Sequence, residues 1–500
     1  MHCYQVRLWL VRWQRRGANG QDKDRSHQKF LVHDDGSTTD NQLGRLPMRR
    51  MVLRAMALGT LVGGLAGCAV YRRKPIDAMA TGHALEARSL SDPRLGKFLA
   101  AMGHPAPPSR WGLETLTLVA VYERPTLRIA NAELSVALAN GLTARALPNP
   151  TLSLAPTYNS SNFIPSPWKV GPLVTFLITS YGARPARIAE ARALLGAARA
   201  KVLVAAWQER SAVRGALLSL WYAAAALRAA RQGAALADQA AHVTRQRYAA
   251  GMISAASDNL AVVTAEQQDF ARALAERRVR LAKVALAGAI GMPSSALRGV
   301  AIDFDAFRDH PLPAHLEQLG ATALATRPDV QEALANYAAA QDKLRFAIAG
   351  QYPSLSIGPG YNYDQGQNKY ILGLSLPLPI FNQNQGPIAA ARAGRERAAA
   401  QFDLTQQNAL AQIDAAIADL RASFRTIAAA RSALHAAAAR VRYSRTAFAA
   451  GAIGRLRLIG AEQAAYFAQT DLLTARMEER TAIGRVENAL YHPIFGASAS

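Results

Sequence analysis

The chain is poor in cysteine, in aromatic side chains and in acid relative to base. It also has no apolar run long enough to cross a bilayer. Its two cysteines, Cys3 and Cys68, exclude a disulfide framework, so stability must come from packing and assembly. Aromatics make up 7% of a chain that is half apolar. That shortage excludes a large aromatic core and favours helices packed closely through small side chains, chiefly alanine. The formal net charge is +23, which suits either nucleic acid or an anionic membrane surface. The basic residues are spread along helical stretches with no dense run beside aromatics, which argues against nucleic acid. The ten histidines are scattered, and none stands at ligand spacing with Asp, Glu or Cys. A phosphate loop and a nucleophile elbow are also absent. No catalysis, no bound metal and no cofactor are therefore expected, and His310 and His315 read as ordinary surface residues.

What is present begins with an export signal. Arg49, Arg50 and Arg54 form a basic start, and Ala55 to Ala66 is a short apolar stretch. It ends in Leu65-Ala66-Gly67-Cys68, small residues followed by a thiol, which resembles the bacterial lipobox. Residues 48–67 then read as a lipoprotein signal peptide and Cys68 as the acylated, membrane-anchored first residue of the mature chain. Residue 69 is Ala and not Asp, the pattern of delivery to the outer membrane. Residues 1–47 are polar and irregular and read as an extension ahead of a true start at Met48 or Met51.

Self-comparison shows an internal duplication. Arg124-Pro125 recurs as Arg327-Pro328, and the run from Pro150 to Asn159 recurs from Pro353 to Asn362. Further along, Tyr248-Ala-Ala-Gly251 recurs as Phe448-Ala-Ala-Gly451. The expected organisation is a lipidated N-terminal segment at 68–112, a first repeat at 113–300, a linker at 301–318, a second repeat at 319–493 and a tail at 494–500.

Each repeat opens with a helix of about 25 residues after the Arg-Pro pair. Two alternating segments follow, about 150–159 and 171–181 in the first repeat, and about 353–363 and 369–380 in the second. In the second repeat, Leu355, Ile357, Pro359, Tyr361 and Tyr363 make one face of a strand. Tyr370, Leu372, Leu374, Leu376 and Leu378 make the matching face of its partner, with Gly and Ser opposite. Strands of about ten residues, apolar on one face and ending in Tyr, fit an outer-membrane barrel. A long helix comes next, about 184–248 and about 387–448, each roughly 95–100 Å in length. Val213, Leu217, Leu220, Ala224 and Leu227 repeat as Ile413, Ile417, Leu420, Phe424 and Ile427, the spacing of a coiled coil. Gly251 and Gly451 stop these helices, and return helices run about 254–290 and 454–490. A return helix covers only about 55 Å, so the opening helix must stack on its end to match the long helix. Four strands per chain cannot close a barrel, which needs about eight. Copies must therefore combine.

These features resemble the TolC family of outer-membrane efflux proteins over about residues 69–495. The resemblance rests on the duplicated strand starts at Pro150 and Pro353 and on the two Tyr/Phe-Ala-Ala-Gly tips. It rests also on Leu-Pro-Leu-Pro-Ile-Phe381-Asn-Gln-Asn-Gln-Gly-Pro387. That last string is most similar to the CzcC/CusC-like heavy-metal efflux lipoproteins. The resemblance implies a mainly α fold with a small membrane β part. It implies a homotrimer with a twelve-stranded barrel continuous with a helical periplasmic tunnel. Partners would be outer-membrane lipid, a periplasmic adaptor and an inner-membrane pump of the resistance-nodulation-division type. The implied adaptor contacts are the tips, here Arg245, Gly251 and Ser254, and Arg445, Gly451 and Gly454. One departure stands out. Members often carry an acidic ring near the second tip, whereas this chain reads Ile453-Gly454-Arg455-Leu456-Arg457-Leu458. Asp258 near the first tip, with Arg455 and Arg457 near the second, are the expected entrance gate. A basic entrance disfavours cations. Two other readings stay open: a drug-efflux or type I secretion channel, and a structural coiled-coil lipoprotein.

Overall fold

The computed structural model describes residues 69–104, 107–160, 165–309, 311 and 316–495. The extension, the signal, Cys68, His310, His315 and residues 496–500 lie outside the described residues. The chain divides into a unit ending at Ala87 and a body from Arg88 onward. In the first unit, helix α1 (Ala78–Glu86) begins where the Asp77 carboxylate accepts hydrogen bonds from the Met79 and Ala80 amides, a side-chain N-cap.

The body opens with α2 (Pro93–Ala101) and α3 (Leu113–Glu123). Then come α4 (Pro125–Arg145), the strands β1 (Thr151–Leu154), β2 (Thr157–Tyr158), β3 (Trp168–Lys169) and β4 (Pro172–Ile178), the long helix α5 (Ala183–Ala249) and the return helix α6 (Ala255–Ala289). The second copy has α7 (Leu316–Thr326), α8 (Pro328–Ala349), β5 (Leu355–Asp364), β6 (Gln367–Ser375), α9 (Gln385–Ala449) and α10 (Arg455–Leu490). α7 is the counterpart of α3 and starts inside the segment read as a linker. Leu316 is 2% exposed in a cluster with Ile413, Ile417, Leu420 and Val486, so packing extends the second copy upstream of residue 319.

The long helices have 67 and 65 residues, about 100 Å each. Their heptad positions face inward: Val213, Leu217 and Leu220 are buried in α5, and Ile413, Ile417, Leu420 and Ile427 in α9. Coiled pairing joins α5 to α6 and α9 to α10, and α5 also packs on α10. Toward the strands, α4, α5, α8 and α9 pack in that order. The Arg-Pro pair explains how the short helices match a long one. Pro125 and Pro328 take the first helical position, where the missing N–H costs nothing. Each preceding arginine reaches the end of a return helix. Arg124 Nη1 donates to the Gly288 and Ala289 carbonyls at 3.4 Å, and Arg327 Nη1 donates to the Ala489 carbonyl at 2.7 Å. A cation on the last carbonyls is the favourable pole of the helix dipole, and α4 is thereby seated on the end of α6 and α8 on the end of α10.

The linker is clamped between the two coiled pairs. Phe307, 3% exposed, meets Trp221 of α5 with ring centroids 6.2 Å apart. Arg480 of α10 donates to the Phe307 carbonyl at 2.8 Å and also bonds to Asp309, which pairs with Arg431 of α9 at 2.9 Å. Burial alone would raise the Asp309 carboxyl. The Arg480 hydrogen bond and the charges of Arg476, Arg480 and Arg431 outweigh it and hold the group below its usual value. A carboxyl lowered in the folded state adds stability above its unfolded value, about 3.9, and loses it as the pH falls through the folded value. Asp309→Asn should therefore lower the urea midpoint at pH 7. The gap to the parent should close at the acid end of a pH series.

Candidate functional site: an open-edged sheet and two helical tips

The strands form an antiparallel sheet in the order β1-β4-β5-β6, with β2 and β3 as a second, two-stranded piece. The hairpin expected at 150–159 and 171–181 is thus broken, although Thr151↔Thr175 and Tyr158↔Trp168 keep one register. The break falls at Ala155–Pro156 opposite Val170–Gly171, because Pro156 has no N–H for the ladder. Gly171 is needed there, since an added Cβ would lie 1.9 Å from the Tyr361 carbonyl oxygen. β6 stops at Ser375 rather than near 380, because Pro377 and Pro379 likewise remove donors.

Pairing settles which side chains share a face. Leu152 lies opposite Val174, Phe176 opposite Ile357, Ile357 opposite Leu374 and Tyr361 opposite Tyr370. Leu152, Phe176, Tyr370, Leu372 and Leu374 are 49–87% exposed, so this face is mainly apolar and open on its outer strands, with Ile357 and Tyr361 half-buried between them. The other face carries the small or polar Thr151, Ser153, Ser356, Gly358, Gly360 and Gly373, interrupted by Leu173, Leu177 and Ile371. The first repeat's second strand, β4, is apolar on both sides, with Leu173 and Leu177 on one and Val174, Phe176 and Ile178 on the other. Leu173 fills the gap over Gly358 and Gly360, where an added Cβ would meet its Cδ1 at 3.2 and 2.9 Å. Among the described residues, no helix is long and apolar enough to cross a membrane.

Both layers end open at the same places. β1 follows α4 at one edge of the sheet, and β6 runs into α9 at the other. The helix layer likewise ends with α4 and α6 on one side and α9 on the other. An exposed row of Leu260, Val263, Phe270, Leu281 and Val284 runs along α6.

At the far end are the tips. Gly251 and Gly451 have φ of 71° and 74°, the left-handed stop that only glycine adopts freely. Ser254 caps α6 by accepting from the Ser257 amide at 3.3 Å, whereas Gly454 occupies the same place before α10 with no side-chain cap. Arg245 grips Asp258 at 2.9 Å, and Asp258 is buried. Arg445, its counterpart in the repeat, grips Glu462 at 3.0 Å. Glu462 was not singled out from the sequence. It lies one turn further along the return helix than Asp258 does, so the 200-residue offset does not align the two acids. Arg455 donates to Gln239 Oε1 at 2.8 Å and stacks over Phe448 at 5.8 Å. The Arg247 guanidinium comes beside Gly454, where an added Cβ would be 3.2 Å from its Nη2. Arg457 is exposed. The structure thus joins Asp258 to Arg245, and among the described residues no ion pair links it to Arg455 or Arg457. Among the described residues, no group of three His, Cys, Asp or Glu could hold a metal ion.

The body is thus a duplicated hairpin-and-coil unit whose sheet and helix layers are open on the same two sides. The chain belongs to the outer membrane efflux protein family, whose pattern matches residues 119–292 and 319–490. It is 26% identical over 287 residues to the cobalt-zinc-cadmium resistance protein CzcC of Cupriavidus metallidurans, covering 56% of this chain and 65% of that one. It is 31% identical over 210 residues to the pyoverdine export outer membrane protein OpmQ of Pseudomonas aeruginosa, covering 40% and 42%. The matched region is therefore less than two thirds of either relative's length. Among solved structures, the outer membrane protein VceC from Vibrio cholerae has a similar fold, with a TM-score of 0.64 at 19% identity over 77% of this chain and 97% of that one. CusC has a TM-score of 0.62 at 20% identity over 76% and 91%.

Proposed function

We propose that this chain is the outer-membrane channel of a tripartite efflux system, a homotrimer whose twelve strands close a barrel above a helical periplasmic tunnel. The observation that carries this reading is the coincidence of open edges. An unpaired sheet edge in lipid leaves backbone groups that cost several kcal/mol each, and both layers are open on the same two sides. Copies joined head to tail, β1/α4/α6 of one on β6/α9 of the next, satisfy every edge and generate a ring. Four strands per chain require more than one copy to reach the eight of the smallest closed barrels, and the family resemblance favours three. Cys68 anchors the chain to the outer membrane through its acylated thiol.

The tips at Arg245, Gly251 and Ser254, and at Arg445, Gly451 and Gly454, receive a periplasmic adaptor. An inner-membrane pump of the resistance-nodulation-division type supplies the energy. Asp258, Arg455 and Arg457 belong to the entrance gate. Likeness to CzcC favours heavy metals as the cargo. Conduction through the tunnel is passive and needs no catalysis or cofactor. The test is extraction of outer membrane in mild detergent. A heat-modifiable trimer is expected, and a monomer in the soluble fraction would refute the assembly. Deleting the gene should sensitise cells to metal salts, and sensitivity confined to dyes and drugs would reassign the cargo.

A further inference from the structure

We infer that the entrance at the tips selects for anions, so that metal cargo crosses it as a negatively charged complex and not as a free divalent cation. This rests on the channel reading above. The charge at the tips is strongly unbalanced. Residues 240–262 and 440–462 contain seven arginines and two carboxylates. Both carboxylates are already engaged, Asp258 by Arg245 and Glu462 by Arg445. That leaves Arg247, Arg440, Arg442, Arg455 and Arg457, none of which pairs with a carboxylate among the described residues. Four of these five are exposed, and Arg455 is half-buried.

The imbalance extends up α9. Arg425, Arg440 and Arg442 of this helix pair with no carboxylate among the described residues, whereas Arg421, Arg431 and Arg445 are engaged by Glu317, Asp309 and Glu462. The two tips are also adjacent, because Arg455 of α10 reaches Gln239 of α5 and Arg247 of α5 reaches Gly454. The free guanidinium groups of the tips therefore form one cluster within about 17 Å of the turn glycines. A ring of such clusters surrounds the mouth on every side. Charges within a Debye length of the opening, about 8 Å at physiological ionic strength, act on an ion there without direct contact, and the more distant ones are screened. Low-dielectric walls focus that field and raise the local anion concentration.

Reversal potentials of the purified full-length protein in planar lipid bilayers under a tenfold KCl gradient test this. Chloride should be favoured over potassium by at least about threefold, and the preference should fall toward unity in molar salt. Arg455→Glu with Arg457→Glu should reverse it. Arg440→Glu with Arg442→Glu, at exposed positions without tip contacts, gives an independent reversal if the first pair disturbs the turn. A conducting but potassium-selective parent would overturn the inference while leaving the channel standing. So would chloride preference that neither pair changes. Absence of any pore would remove the channel reading itself, and the selectivity with it.

Discussion

Replacing Arg480 with methionine is expected to cost about 3 kcal/mol or more, the usual effect of stripping one partner from a buried ion pair. Arg480 is 3% exposed, and each of its nitrogens is used. Its Nη1 donates to Glu479 at 2.6 Å, its Nε donates to the Phe307 carbonyl at 2.8 Å, and its Nη2 donates to Asp309. The guanidinium also lies 5.0 Å from the Trp221 ring centroid. Removing it leaves the buried Glu479 without its paired cation and with only the weaker pull of Arg431 and Arg476. Burial already pushes the Glu479 carboxyl up, against the pull of Arg480, and losing that pull pushes it higher. A carboxyl raised in the folded state loses stability as the pH rises above its unfolded value, about 4.3. The variant's deficit should therefore be larger at pH 8 than at pH 5. Urea unfolding in detergent measures both. Adding Glu479→Leu should recover much of the loss, because a buried pair removed whole is often neutral. A single variant as stable as the parent would show that the clamp contributes nothing.

The second large effect is expected on the sheet. Leu374 lies on the open apolar face, 66% exposed and opposite Ile357. In a lipid-facing barrel, an arginine there costs about 2–4 kcal/mol at mid-bilayer depth. Leu374→Arg should sharply reduce assembled trimers in the outer membrane. Ser375 is the next residue and faces the opposite way, paired with Ser356. Ser375→Lys should therefore assemble normally. A soluble hairpin predicts a different pattern, with both changes tolerated in an exposed position. Equal yields of the two variants would remove the membrane reading of this face.

The tips show how far pattern alone reaches. Gly251 and Gly451 stop the helices for a reason intrinsic to glycine, and Arg245 and Arg445 recur at a constant offset, so both were legible. The Glu462 pairing was not, because its acid sits one turn from where the repeat would place it, and a salt bridge across a hairpin depends on how two helices wind together. The broken first hairpin had a signal in Pro156, but the close approach of Gly171 to Tyr361 depends on a neighbouring strand almost 200 residues away. The role of Arg124 and Arg327 was hidden for the same reason. Their repetition was visible, while the carbonyls they cap belong to helices distant in sequence.

The sequence by itself determined the duplication, the length of the helices, their heptad faces and the alternation of the strands. Each follows from local spacing, from proline and glycine, and from periods of two and of three to four residues. Only the tertiary structure decided the order of elements across each layer, and with it the common open edges, the arginine-clamped linker and the neutralised acids at the tips. Those depend on which surfaces of long helices meet, and that is a property of packing between segments that no local pattern encodes.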